Sequence, residues 1–254
     1  MPPVAPGMTI VATLAGLLAT LASAVHGSTL LVAMPPGAVF KLTGTPIIVD
    51  GINLRLTSTG AGAVLDAQHL SRCIEVQNEG LAQLENLHLR NGRVIDQPGG
   101  CALVNGSQST LTLEGGSLVS CESLMDQFVP PRVSLHGGPY GEVWEASGGG
   151  VAAGYGARFE AQSALFEDCH AHLYGGGVFA YRGADVVVRD TDFKHCNAAF
   201  GGGVASFSAG TQVLVVGCSI IGSDQLWSIG AGIPMRQGGG LAVSYAGSAD
   251  VFDS

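Results

Sequence analysis

The stretch Phe166-Glu167-Asp168-Cys169-His170-Ala171-His172-Leu173-Tyr174-Gly175-Gly176-Gly177-Val178 decides the fold, because the chain repeats it. Phe193-Lys194-His195-Cys196-Asn197-Ala198 follows 27 residues later and leads again into a triplet, Gly201-Gly202-Gly203-Val204. Further triplets stand at Gly148-Gly149-Gly150-Val151 and Gly238-Gly239-Gly240-Leu241. A fixed period of this size marks stacked coils, each too small to bury an apolar face alone and stable only against its neighbours.

Within a unit the alternation is that of a strand. Laying Ala157–Phe166 under Ala184–Phe193 sets Phe159 on Val186, Ala161 on Val188 and Phe166 on Phe193, while Arg158 meets Asp185 and Gln162 meets Arg189. Val213, Val215 and Ile220 continue the apolar columns into the next unit. Period two along the strand, combined with period 27 between coils, stacks one face as core and gives the other to solvent. The pattern extends upstream through Gly99-Gly100-Cys101-Ala102-Leu103, Thr110–Glu114 and Leu118-Val119-Ser120-Cys121, and before them Cys73–Val76 and Leu84–Gly92. Still earlier, Ala38–Leu42 and Pro46–Leu56 are short alternating strands broken by Gly and Pro. The reading is an all-β solenoid of parallel strands with about six to seven coils. Glycine triplets suit it, since each coil turns sharply while the next backbone passes at about 4.8 Å. A dinucleotide or phosphate loop would need one occurrence and a following helix, and here four occurrences precede strands.

Composition agrees. The 254 residues include 39 glycines, with 12% charged and 6% aromatic residues, too apolar for disorder and too poor in rings for a large globular α/β core. A net charge of -9 without a basic run removes the phosphate attraction that nucleic-acid binding requires, so no nucleic-acid partner is expected. The first forty residues carry no Asp, Glu, Lys or Arg. A secretory signal ending near Ala22-Ser23-Ala24 would explain this run, but its positively charged start is missing. Ile10, Leu14, Leu17, Leu18, Leu21 and Val25 recur instead at helical spacing, which predicts an amphipathic helix capping the first coil. Residues 1–27 are therefore read as capping helix or signal-like segment and 28–254 as the solenoid.

Phe166, Cys169, Ala171 and Gly175–Val178, with Phe193, Cys196, Ala198 and Gly201–Val204, resemble the repeat of chlamydial polymorphic outer-membrane proteins. The wider class is the right-handed parallel β-helix, or pectin-lyase-like, superfamily. Cys stands where that repeat usually has Asn. The resemblance is specific over residues 99–254, and residues 9–92 share a general texture with the first coils of pectin-lyase-like proteins. It implies a right-handed winding, an extracellular or cell-surface location, and a surface or adhesive role more than an enzymatic one. Membrane or surface association would come through the N-terminal segment or through parts outside this sequence.

Chemistry is sparse. The superfamily's polygalacturonate-cleaving enzymes use clustered Asp residues with Gly-His-Gly and Arg-x-Lys elements, or Ca²⁺-binding carboxylates with an Arg base, and neither set is present. Arg189-Asp190-Thr191-Asp192 is the nearest fragment, but Ser163, Leu165, Gly217 and Ser219 beside it supply no second carboxylate. No catalytic residue and no cofactor are assigned. Cys73 and Cys101, like Cys169 and Cys196, occupy matching positions one coil apart, so the six cysteines are read first as a ladder of buried free thiols and second as disulfides. Cys169, His170, His172, His195 and Cys196 share a corner, but thiols facing inward leave the imidazoles facing water, and no metal is expected.

Recognition is the stronger expectation. The turn between Phe-x-x-Cys and the next triplet holds five residues after Cys169 and four after Cys196, but 26 from Glu122 to Ser147 and 14 from Asp224 to Gln237. Both excursions leave the same edge, where loops on a rigid scaffold carry binding. Both tryptophans lie in them: Trp144, accompanied by Phe128, Arg132, His136 and Tyr140, and Trp227, accompanied by Arg236. Exposed aromatic faces stack on sugars or anchor proteins, so Arg132, His136, Tyr140, Trp144, Trp227 and Arg236 are the candidate ligand-binding residues for carbohydrate or protein. The alternative is that both indoles fold back over the body. At the far end, Ala249-Asp250-Val251-Phe252-Asp253 reads as the row equivalent to Ala184–Val188, so the solenoid is expected to be incomplete and to continue in a longer protein. The functional expectation is a non-catalytic surface or extracellular scaffold, and the alternative is a polysaccharide lyase or glycoside hydrolase of the same architecture.

Overall fold

Parallel pairing between residues about one coil apart links the described strands in a computed structural model, whose described residues are 8–126, 145–222, 240–244 and 248–252. Three sheets run along a solenoid of about six turns. A nine-stranded sheet runs from Thr9–Ile10 through Thr29–Ala33 and Arg158–Gln162 to Ser248–Phe252. A seven-stranded phenylalanine sheet runs from Val39–Lys41 through Leu165–Glu167 and Asp192–Lys194 to Ser219–Ile221. A seven-stranded glycine-triplet sheet runs from Ile47–Asp50 through Val178–Tyr181 to Leu241–Ser244, and a short three-stranded sheet joins Arg93–Ile95, Glu122–Leu124 and His170–Ala171.

The registers are those the alternation requires. Phe159 pairs with Val186 and Ala161 with Val188, Phe166 pairs with Phe193, and Val213, Val215 and Ile220 continue the same columns. These side chains form one continuous apolar cluster, and the Phe166 and Phe193 rings stack with centroids 4.8 Å apart. One register differs. Ala249 lies on Val213, and so in the column of Val186 and not Ala184. The slip is two residues, and a two-residue slip keeps every side chain on its own face.

The two halves of the repeat meet in the core. Gly175, the first of its triplet, has φ +61°, a conformation that L side chains adopt at a cost. Gly177, the third, lies so close to its neighbours that a Cβ there would come within 2.6 Å of both the Gly203 carbonyl and the Phe193 ring. The missing side chain is the space the phenylalanine fills.

Residues other than glycine also take the left-handed region. Asn86, Ser163 and Asp190 have φ near +50° and occupy one column with Gly115 and Gly217, where the chain bends into the phenylalanine sheet. The Asn86 N–H donates to the Glu114 carbonyl one coil on, and Ser163 and Asp190 do likewise to Arg189 and Val216, so the ladder continues through the bend.

Among the described residues the single helix is Leu14–Ala22, shorter than the apolar spacing from Ile10 to Val25 predicts. The Thr13 hydroxyl accepts from the Gly16 N–H and fixes the start of the helix, while Thr9–Ile10 pairs as a strand with Val32–Ala33. Ile10 and Val25 are consequently exposed, whereas Leu17 is fully buried in the main apolar cluster with Leu14 and Leu21 packed against it.

The cysteines correct an expectation. Cys101 and Cys121 form a disulfide with Cα atoms 5.3 Å apart, and Cys73, Cys169, Cys196 and Cys218 are free and buried. Stacked cysteines such as Cys73 and Cys101 do approach, with sulfurs 4.0 Å apart, but the bond forms within one coil. Cys101 begins a circuit and Cys121 ends it, so the chain returns beside its own start with the two thiols facing one another. Burial pushes the Cys73 thiol up to about 12, and the Cys169 thiol is raised by burial and by the neighbouring Cys196 thiol.

Two outcomes follow from this packing. Phe166→Ala should destabilise the protein by about 3–5 kcal/mol in urea denaturation, because the ring cannot be replaced by collapse of a glycine-lined wall. Thiol titration with an aromatic disulfide reagent should find no reactive group in the native protein, four after unfolding and six after unfolding with reduction.

Candidate functional site

The edge between the phenylalanine sheet and the glycine-triplet sheet widens over the first three coils. Residues 42–46 cross it in the first coil, 67–73 in the second and 91–101 in the third, where the added length forms the strand Arg93–Ile95. That strand overhangs the shorter crossings before it. The step leaves a recess of about 720 Å³, within the range of small-ligand sites. Its lining comes from all three coils: Gly44, Pro46 and Ile48 from the first, His69 to Arg72 with Glu75 from the second, and Arg93 to Ile95 with Gln97 from the third.

Asp66 holds the middle crossing in place. Its Oδ1 accepts from the Gln68 N–H at 3.0 Å and from Asn91 Nδ2 at 2.9 Å, and its Oδ2 accepts from Arg90 Nε at 3.0 Å and Nη2 at 2.9 Å. Burial works to raise this carboxyl, but the donors from Asn91, Gln68 and Arg90 outweigh it and hold the group below the usual carboxylate range. Gln68 and His69, both left-handed, then turn the chain so that Leu70 projects outward and Arg72 inward.

Arg72 is 4% exposed. Its Nη1 donates to Glu75 Oε2 at 2.8 Å and its Nη2 to Gln97 Oε1 at 2.7 Å, whereas Nε is buried without a partner. Burial pushes the guanidinium down from its ordinary value and Glu75 draws it back, and an arginine so paired remains a cation at neutral pH. Arg93 is the second cation. Its side chain is largely exposed and meets Glu122 at 3.5 Å, a separation that fixes it weakly. Around these charges Ile48, Leu70 and Ile95 stand 45, 62 and 47% exposed. The recess can therefore take a ligand that joins an anionic group to an aliphatic body.

Arg132, His136, Tyr140 and Trp144, with Phe128, fall in residues 127–144, and Trp227 and Arg236 fall in residues 223–239. All lie outside the described residues. The described strands that flank them in sequence are Glu122–Leu124 and Val151–Gly154 for the first segment and Ser219–Ile221 and Leu241–Ser244 for the second.

A second feature escaped the sequence reading. Leu103, Ala152, Phe179, Tyr181, Phe200 and Ala205 form an apolar cluster separate from the core, with Tyr174 and Phe207 packed against it. Phe179 and Tyr181 alternate with the core residues Val178 and Ala180, so they belong to the outer face of the glycine-triplet sheet. The signal was present in Val178-Phe179-Ala180-Tyr181, where both parities are apolar. Burial pushes the Tyr181 phenol up.

At the histidine corner the Cys169 and Cys196 thiols point into the core, and His170 and His172 sit outside with rings 5.5 Å apart. The His172 Nδ1 accepts from the Met125 N–H at 2.9 Å, and His195 faces Asp168 at 3.7 Å. Among the described residues no group of three or more His, Cys, Asp or Glu side chains is arranged to hold a metal ion. Asp192 lies between Leu165 and Ser219 and pairs with Lys194 at 3.7 Å, so no carboxylate flanks it across the stack. Among the described residues no helix is long and apolar enough to cross a membrane. No protein-family model, curated protein or solved structure matches the chain.

The two arginines should separate in mutagenesis. Arg72→Ala strips Glu75 and Gln97 of their buried partner and should cost about 2–4 kcal/mol of stability in urea denaturation. Arg93→Ala should stay within about 0.5 kcal/mol of the parent.

Proposed function

We propose that this chain is a non-catalytic recognition scaffold, a right-handed β-helix of the pectin-lyase-like kind that presents its looped edge to carbohydrate or protein at an extracellular or cell surface. The observation that carries the reading is the stepped edge. Three coils of increasing width form a recess with charged and aliphatic walls, and the described strands Glu122–Leu124 and Ser219–Ile221, which precede the candidate loops in sequence, run along the same edge. Rigid strands position such an edge at no cost to the core, which is why solenoids serve as binding surfaces.

Two further features favour it. Glycoside cleavage by paired carboxylates needs two acids flanking one bond, and the Asp190–Asp192 fragment has Leu165, Gly217 and Ser219 as neighbours. The Cys101–Cys121 bridge suits an oxidising compartment. The resemblance to chlamydial polymorphic outer-membrane protein repeats, through Phe166-x-x-Cys169 and Gly175–Val178, points the same way, and the helix Leu14–Ala22 takes the place of a cap on the first coil.

The full chain incubated with polygalacturonate, alginate and neutral glycans should release neither reducing ends nor unsaturated uronates, while a glycan array and a cell-surface binding assay should register retention. Product formation with any of these polymers would replace the scaffold by a lyase or hydrolase.

A further inference from the structure

We propose that the recess receives an extended peptide ending in a free carboxylate and bearing branched aliphatic side chains, which adds as a short strand beside Arg93–Ile95. The proposal rests on the scaffold reading and selects protein over carbohydrate within it.

The open strand edge is the first support. Arg93–Ile95 is the outermost strand of the three-stranded sheet. In a parallel pair the N–H and C=O of one residue serve the same neighbouring strand, and those of the next residue serve the opposite side. The Glu122 N–H donates to the Gly92 carbonyl at 2.7 Å and the Asp96 N–H donates to the Leu124 carbonyl at 2.8 Å, so residues 92, 94 and 96 face the inner strand. Arg93 and Ile95 therefore face the recess side. The Arg93 N–H finds the Ser71 carbonyl at 3.0 Å, and among the described residues no acceptor meets the Ile95 N–H. An exposed edge of this kind is a template for an added strand, whose main-chain bonds supply affinity and whose alternate side chains supply specificity.

The walls select what the strand carries. Ile48, Leu70 and Ile95 offer aliphatic contacts from three successive coils, and among the described residues the lining contains no aromatic ring other than the His69 imidazole. Sugar recognition draws on stacking against aromatic faces, which the described lining does not offer, whereas branched aliphatic side chains need only apolar area. Charge sets the terminus. Two of the chain's 11 basic residues, Arg72 and Arg93, line the recess in a protein of net charge -9; Arg72 is held by Glu75 at 2.8 Å, and Arg93 is met only loosely by Glu122 at 3.5 Å. The exposed Arg93 guanidinium can exchange Glu122 for one incoming carboxylate, and the net negative charge of the protein repels a polyanion at longer range. Arg93 can turn from its loose contact with Glu122 to a peptide carboxylate, while Arg72, which also lines the recess, stays fixed by Glu75 and Gln97.

The probe is a fluorescein-labelled hexapeptide, Gly-Ser-Thr-Val-Val-Ile, with a free C-terminus, titrated with the full chain by fluorescence polarisation. Its C-terminal amide, an analogue N-methylated at alternate residues, and trigalacturonate serve as comparators. The free acid should saturate with a Kd on the order of 100 µM, and amidation, N-methylation or Arg93→Ala should each weaken binding at least about tenfold. Leu70→Asp should do the same, and circular dichroism checks that both variants remain folded. Absence of saturation up to about 2 mM, equal binding of acid and amide, indifference to N-methylation, or unchanged binding by Arg93→Ala would overturn the proposal. If trigalacturonate binds and the peptide does not, this inference falls and the scaffold reading stands. If a glycan is cleaved, the scaffold reading falls on its own account.

Discussion

The contact between a phenylalanine ring and a glycine that has no side chain holds the repeat together. Phe193 packs where a Cβ on Gly177 would sit, and Phe166 packs likewise against Gly150. Each ring therefore stands in the space left by a triplet, and the rings stack on one another along the axis. Apolar burial of this kind is worth about 2–3 kcal/mol per large side chain, and it is available only when the neighbouring coil is in place. Registration between coils is thereby tied to the same atoms that provide stability.

The legible part of the fold is the part built from that contact. Phe159 on Val186 and Val213, and Phe166 on Phe193 and Ile220, were readable because two periods, one of two residues and one of 27, point to the same columns. Ala249 was misplaced by two residues because parity alone leaves that freedom. The helix was overextended because a first strand at Thr9–Ile10 covers an edge that helical spacing does not report. The Cys101–Cys121 bond was missed because comparison of coils shows which residues stack, and not which residues meet when one coil closes.

The site was less legible for a different reason. Its edge was identified from loop length, but the recess lies in residues 44–97, where no glycine triplet marks the coils. What makes it is a difference between crossings, and a difference cannot be read from a repeat. Arg72 and Arg93 carry no motif, and their importance comes from Asp66, Gln97 and Glu75 holding the chain around them. The outer cluster of Phe179 and Tyr181 was readable in principle, since a strand apolar on both parities must be covered on both.

The stepped edge has a consequence for how such a protein can change. Because each crossing begins and ends on strands locked to the coils above and below, its length varies without shifting any register: residues 42–46 and 91–101 span the same corner. An insertion or deletion there is absorbed where it occurs. Divergence in partner choice is thereby uncoupled from divergence in foldability, and a lineage of these chains can sample new surfaces while its interior stays under one unchanging set of constraints.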